Sequence, residues 1–259
     1  MGNVTLIKEE KIAVLTINRP DVKNALDLDT YEEFGEAVEE IKRDSGVRVA
    51  VITGAGDSFC AGLDLKFAAT IKSMSATEVV SLIKRLQEIF TFENVGKPVI
   101  SAIKGYTLGN GCDIALASDF VIAAENAKIG MIYTNLGLIP DMGGTFRLPR
   151  LTGLAMAKEL ILTGEQIDAR RALEIGMINK VVPSEKLMSE TMGFAGKLAG
   201  RSPVALAMAK AAINKGLGVD LCAAQDFEAY IQSVCLQSDD VAEAINAFLE
   251  KRKPKFKGK

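Results

Sequence analysis

Hydrophobic and polar positions along this chain switch between a strand-like and a helix-like period. Val4 to Ile7 and Ile12 to Ile17 are short, β-branched apolar runs separated by the polar turn KEEK, and they predict a hairpin. Asn18-Arg19-Pro20 breaks that pattern. Tyr31, Phe34, Val38 and Ile41 then recur at helical spacing, with Asp29 or Thr30 as the cap. Val47 to Thr53 predicts a buried strand ending in Gly54-Ala55-Gly56, and the loop DSFCAGLDLK follows with small residues that let a backbone approach a ligand. Residues 66 to 75 lack periodicity and predict an irregular stretch. Val79, Val80, Ile83, Leu86, Ile89 and Phe90 line up as one apolar helix face.

The centre of the chain, Lys97 to Thr145, is the most informative part. Pro98 to Ile103 has the length and branching of a buried strand, broken at Gly105 and followed by Gly109-Asn110-Gly111. From Cys112 the residues Ile114, Ala115, Leu116 and Ala117 suit a short helix packed on all sides. Such a helix opens from a glycine loop with free N–H groups and a partial positive charge, which suits an anion or an oxygen that becomes anionic in a transition state. Asp113 falls in its first turn. The same spacing also serves a plain turn with a capping aspartate, and on residues alone both readings stand. Phe120 to Ala124 and Lys128 to Gly130 predict further strands. Beyond Pro149 helices take over, at Leu151–Leu162, Ala169–Ile175, Glu185–Leu198, Pro203–Leu217, Leu221–Leu236 and Asp240–Lys251. Strands alternating with helices over short loops predict an α/β fold, and with no biased linker between the halves it reads as one core with a helical extension.

Composition narrows the chemistry. At 259 residues, 48% apolar and 25% charged, the chain can form one large domain or two smaller ones. No stretch is apolar for long enough to span a bilayer and MGNVTLIKEE has no apolar signal core, so a cytoplasmic protein is expected. Met1-Gly2 opens a myristoylation pattern that Leu6 fails to complete. Cys60, Cys112, Cys222 and Cys235 have neither metal-ligand nor CxxC spacing and read as buried thiols in a reducing compartment. The absence of histidine removes Ser-His and Cys-His nucleophile pairs and His-ligated metals, leaving acid–base work to Asp, Glu, Tyr, Lys or Cys. Nothing suggests a metal, and neither a P-loop nor a dinucleotide glycine pattern is present. Net charge is −2, yet the last nine residues, KRKPKFKGK, hold six basic ones. The remaining acidic body argues against broad nucleic-acid binding, whereas a phosphate-bearing ligand would suit the tail.

Several stretches together resemble the enoyl-CoA hydratase/isomerase family, the crotonase superfamily. They are NRPDVKNALD (18–27), VAVITGAGDSFCAGLDLK (49–66), KPVISAIKGYTLGNGCDIALASDFVIAAENAKIG (97–130), LGLIPDMGGTFRLPRLTG (136–153), LTGEQIDARRALEIGMINKVVP (162–183) and FLEKRKPKFK (248–257). The resemblance implies a crotonase-like spiral of ββα units over residues 1–198. It also implies a C-terminal helical region, 199–259, that builds homo-trimers or dimers of trimers. The ligand it implies is an acyl-CoA substrate, with coenzyme A part of the thioester, no covalently bound cofactor and no membrane partner. Fatty acid metabolism and aromatic degradation are the settings it suggests. By matching motifs, the backbone N–H groups of Leu63 and Asn110 form the oxyanion hole, although the position of Asn110 is usually glycine in the family. Coenzyme A would meet Lys23, Ala25 and Leu26, then Ala61, Leu63, Asp64, Leu65 and Lys66. Phe248 and Lys251 match a region that closes over the nucleotide, often from a neighbouring subunit.

The reaction is less evenly signposted. Hydratases of the family pair two glutamates; the first position falls on Asp113 and the second on Tyr133. A phenol titrating near ~10 is a poor base at neutral pH but a good donor. Asp141 stands where hydratases usually carry glycine and resembles the carboxylate of certain enoyl-CoA isomerases. The resulting expectation is double-bond isomerisation with Asp141 as base, Asp113 as second acid–base or positioning group and Tyr133 as donor. The rivals are hydration of an enoyl-CoA or cyclic dienoyl-CoA by Asp113 and Asp141, and a non-catalytic homologue that binds acyl-CoA or RNA.

Overall fold

A computed structural model describes residues 2–259. The predicted hairpin forms: β1 (Val4–Glu9) and β2 (Ile12–Ile17) pair antiparallel with Glu9 opposite Ile12. Alternation along β2 turns Ala13, Leu15 and Ile17 into the core. Helix α1 (Leu28–Arg43) buries Tyr31, Phe34, Ala37 and Ile41. Its cap is Asp27 rather than Asp29 or Thr30, because the Asp27 carboxylate accepts from the Thr30 N–H at 3.0 Å. Strand β3 (Val49–Gly54) is buried throughout.

The irregular stretch expected over 66–75 is in fact helical for most of its length. Helix α2 (Leu65–Ile71) is capped by Asp64, and with Phe67 its single buried residue it is too short and too exposed to show a stripe. Helix α3 (Ala76–Ile89) starts at a Ser75–Glu78 capping box. Of its apolar face only Leu86 is buried within the helix and Val80 is largely exposed, so α3 lies on the surface.

The spiral follows. β4 (Val99–Ile103) leads into β5 (Tyr106–Leu108) and α4 (Asn110–Ala117); β6 (Phe120–Ala124) leads into β7 (Lys128–Gly130). Each pair breaks after its first strand and steps from one sheet into the other. Helices α5 (Gly144–Thr152) and α6 (Leu154–Thr163) replace the single helix expected over 151–162, split at Gly153. β8 (Gln166–Asp168), α7 (Ala169–Glu174), β9 (Lys180–Val182) and α8 (Leu187–Ala199) follow. The chain closes with α9 (Pro203–Gly216), α10 (Leu221–Leu236) and α11 (Asp239–Leu249).

The larger sheet runs β1-β2-β3-β4-β6-β9, parallel from β2 onward; β5-β7-β8 form the smaller one. Both faces of the larger sheet are apolar. Ala50, Ile52, Val99 and Ile103 join the main core, while Val51, Ile100, Ala102 and Ile122 pack under Leu187, Ala195 and Ala199 of α8. That double burial is why these strands read as continuous apolar runs. The buried Lys210 ties α9 to the sheet through Asp119 (2.7 Å) and the Lys97 carbonyl (3.0 Å). Cys60 and Cys112 are buried as expected, but Cys222 is exposed and Cys235 half-buried, because both lie on α10, whose outer face carries Tyr230, Val234 and Leu236 uncovered. Among the described residues no helix is long and apolar enough to cross a membrane.

Candidate active site

Parallel strands send their connecting loops out at their C-terminal ends, where ligands of open α/β sheets collect. After β2 the chain turns at Arg19–Asn24, and Asn24 is the staple. Fully buried at φ +59°, a conformation asparagine tolerates, it accepts from the Arg19 N–H (2.8 Å) and donates to the carbonyls of Ala55 (2.9 Å) and Ser58 (2.8 Å). The loops after β2 and β3 are thereby locked together. Ala61 N–H donates to Lys23 O, Leu26 N–H to Gly62 O and Asp64 N–H to Leu26 O, all at 2.8–2.9 Å. Most of the residues matched to coenzyme A, Lys23, Ala25, Leu26 and Ala61 to Lys66, therefore share one stitched ribbon. Lys23 Nζ lies 4.3 Å from the Tyr106 ring centroid, and Leu65 and Lys66 are exposed.

Asp64 is spoken for by protein. It accepts from the Lys66 N–H (2.9 Å) and from Arg19 (3.1 Å). Burial pushes its carboxyl upward, but those donors prevail and hold it below the usual carboxylate range. Its part in the ribbon is to cap α2 and pair with Arg19.

The ribbon meets the start of α4. Cys60 N–H donates to Tyr106 O and Leu108 N–H to Cys60 O, both at 2.9 Å. Gly62 at φ +100° allows this approach, since a Cβ there would sit 2.8 Å from Leu108 O. Gly109, at φ +52° and ψ −121°, turns β5 into α4. Among the described residues the N–H groups of Leu63 and Asn110 donate to nothing. Asn110 opens a helix whose eight residues are all buried, so its amide carries the positive end of the dipole in a dry setting. The two unspent donors sit on adjoining loops, as a Cβ at Gly62 would lie 3.5 Å from the Asn110 nitrogen.

Asp113, one turn on, is fully buried. The Tyr133 hydroxyl donates to its Oδ2, while Oδ1 has no hydrogen-bond partner and lies against Gly144, where a Cβ would collide with it. An orphaned buried acceptor costs about 1–3 kcal/mol, so this oxygen is kept for a ligand or water. Burial raises the Asp113 carboxyl to about 7; the Tyr133 bond opposes, the Asp141 charge adds to the rise, and Arg147 and the Gly144 amide lower it. Tyr133 is pushed well above its usual range by burial and then by the Asp113 charge, so it stays a neutral donor.

Asp141 sits on the segment before α5 and is half-buried. Burial raises its carboxyl, opposed by its own backbone N–H. The segment is clamped from outside: Gln87 donates to Asp141 O (2.6 Å), and Arg147 donates to Met142 O (2.7 Å) and Phe90 O (3.1 Å) while pairing with Glu93 (2.7 Å). The structure thus gathers Asp113, Tyr133 and Asp141 beside Leu63 and Asn110. Gln87 and Arg147 were not singled out in the sequence, although Arg147 lies in the matching stretch GGTFRL. Tyr31 reads as core from its place on the apolar stripe of α1, although a tyrosine there brings a hydroxyl that the core must satisfy.

Phe248 and Lys251 are not part of this cluster. The chain after α11 folds back instead: Arg252 pairs with Glu243 and Glu250, Asp240 accepts from the Lys257 and Gly258 amides, and Arg48 holds Phe256 O. Arg48 immediately precedes β3, at the end of the sheet opposite the site. Phe248 is 83% exposed.

Two unspent backbone donors beside a raised carboxyl and a second carboxylate form a site for acid–base chemistry next to a carbonyl whose oxygen gains charge. A crotonyl-CoA hydratase of Syntrophomonas wolfei is 44% identical to this chain, with 98% of this chain and 97% of the relative covered. A short-chain-enoyl-CoA hydratase of Clostridium acetobutylicum is 42% identical over the same shares. The crystal structure of an enoyl-CoA hydratase from Bacillus anthracis superposes with a TM-score of 0.92 at 38% identity, covering 99% of this chain and all of the other. The family model described as enoyl-CoA hydratase/isomerase matches residues 7–259, and with the spiral and the site in place the chain belongs to that family.

Proposed function

We propose that the protein hydrates a short-chain 2-enoyl-CoA to the 3-hydroxyacyl-CoA. The observation that carries this reading is the pairing of two raised carboxyls, Asp113 at about 7 and Asp141 above its ordinary value, beside two free backbone amides. The thioester oxygen takes the Leu63 and Asn110 N–H groups, which strengthen as it becomes an enolate oxygen. Asp141 accepts a proton from water as its oxygen bonds to C3. Asp113, protonated in a good share of molecules near neutrality, gives a proton from Oδ1 to C2. One water is consumed, and the carboxyls exchange protons with solvent before the next turnover. Tyr133 holds Oδ2 and so leaves Oδ1 as the working atom.

Two hydratase relatives above 40% identity support hydration over the isomerisation that the Tyr133 and Asp141 positions suggest on their own. Isomerisation keeps one observation in its favour: Asp141 alone, supported only by its own amide, is equipped to move a proton between two carbons. Coenzyme A runs along the ribbon Lys23–Leu26 and Ala61–Lys66 in this reading. Phe248 and Lys251 reach a nucleotide only on another copy, with the exposed faces of α10 and α11 as contacts within a homo-oligomer. The test is loss of the conjugated thioester absorbance of crotonyl-CoA on addition of protein. Asp113→Asn and Asp141→Asn should each suppress it while still binding butyryl-CoA; unchanged rates in both variants would refute the assignment.

A further inference from the structure

A buried hydroxyl near the same two carboxyls also lacks a partner. The Tyr31 hydroxyl has no hydrogen-bond partner, although the residue is only 1% exposed. Its ring packs at 6.4 Å from Phe67 and 5.8 Å from Phe90, centroid to centroid. Phe67 belongs to the helix that begins two residues after Leu63, and Phe90 O is gripped by Arg147, the clamp of the Asp141 segment. Tyr31 is thus wedged between the helix that follows the first donor loop and the end of α3, which Arg147 ties to the Asp141 segment. Burial raises its phenol well above the usual range, and charges on Asp141 and Asp113 add to the rise, so the hydroxyl lies within electrostatic reach of both carboxyls and keeps its proton. Asp113 Oδ2 is taken by Tyr133, and Oδ1 is left unpaired.

We propose that the Tyr31 hydroxyl is a substrate-positioning donor: it holds the oxygen of the water that is added, and then the 3-hydroxyl that this oxygen becomes. Unpartnered buried polar groups are where proteins keep bound water. A water oxygen has two lone pairs. With one proton directed at the Asp141 carboxylate, one lone pair accepts from Tyr31 and the other is left for C3. No proton leaves Tyr31 at any point, and its bond passes unchanged from water to product.

This rests on the hydration reading, and the test separates the two. Tyr31→Phe removes one oxygen and keeps the ring between Phe67 and Phe90. The expected result is a fall in kcat for crotonyl-CoA hydration of roughly 10-fold or more with KM little changed. Exchange of the α-hydrogens of butyryl-CoA in heavy water, which needs the donors and a base but no added water, should be retained. Wild-type protein should bind 3-hydroxybutyryl-CoA more tightly than butyryl-CoA, and Tyr31→Phe should bind them alike. Unchanged kcat and unchanged preference would overturn the proposal, as would a parallel loss of exchange, which means a disturbed site rather than a lost hydrogen bond. Wild-type protein that leaves crotonyl-CoA unhydrated would refute the hydration reading itself, and this inference with it.

Discussion

Asp113→Asn is the substitution with the most to say, because it separates the energetic cost of the site from its chemistry. The change keeps shape and leaves the Tyr133 hydroxyl an oxygen to donate to, but removes a charge from a fully buried position. A carboxyl at 3.8 in the unfolded chain and about 7 in the fold binds protons more tightly when folded. Stability therefore falls as pH rises between those values, and above both of them the wild-type fold carries a cost of about 4 kcal/mol. At pH 5 much of that cost is absent. The variant's stability advantage should thus grow by about 2–3 kcal/mol from pH 5 to pH 8, or roughly 5–10 °C in Tm for a chain of this length. A constant offset from the new amide does not alter that difference. Paired thermal melts of wild type and variant across this range are the assay. An advantage that does not change with pH would show that Asp113 is not raised, and the acid assigned to it would fall too.

Other substitutions probe the neighbours. In wild-type protein kcat/KM for hydration should fall as pH rises through about 7, as the Asp113 acid is lost. Tyr133→Phe deletes the bond that lowers Asp113, so that limb of the pH profile should move to higher pH; a limb that stays or moves down contradicts the Tyr133–Asp113 pair. Asp141→Asn should lower kcat by at least ~100-fold with butyryl-CoA affinity retained, measured by titration calorimetry. Gly62→Ala forces a side chain to φ +100° against Leu108 O, which should destabilise the protein by about 1–3 kcal/mol in denaturant melts and lower kcat as the Leu63 and Asn110 amides move apart.

Much of the site was legible because its chemistry is carried by local sequence. Gly109-Asn110-Gly111 before the apolar run Ile114–Ala117 suits a tight entry into a short buried helix, with Asp113 in its first turn. The strands β3, β4 and β6 were equally plain, since burial on both faces leaves uninterrupted apolar runs. What stayed hidden depends on three-dimensional neighbours. Residues 65–71 form a helix held by Asp64 and one phenylalanine, too little burial to write a stripe. The strands β5, β8 and β9 are three residues each and do not stand out from their flanks as the equally short Lys128–Gly130 does. Tyr31 looked like one more core position on α1, and only the absence of a partner for its hydroxyl sets it apart. Within one chain Phe248 and Lys251 lie away from the cluster, and the basic tail beyond them is taken up by Glu243, Glu250 and Asp240.

Incubation with crotonyl-CoA in heavy-oxygen water, beside a parallel incubation with 3-butenoyl-CoA, tests the central claim directly. Mass spectrometry of the products should find the heavy oxygen on C3 of 3-hydroxybutyryl-CoA made from crotonyl-CoA. Conversion of 3-butenoyl-CoA to crotonyl-CoA with no uptake of heavy oxygen from either substrate would contradict it, and would make Asp141 the base of an isomerase.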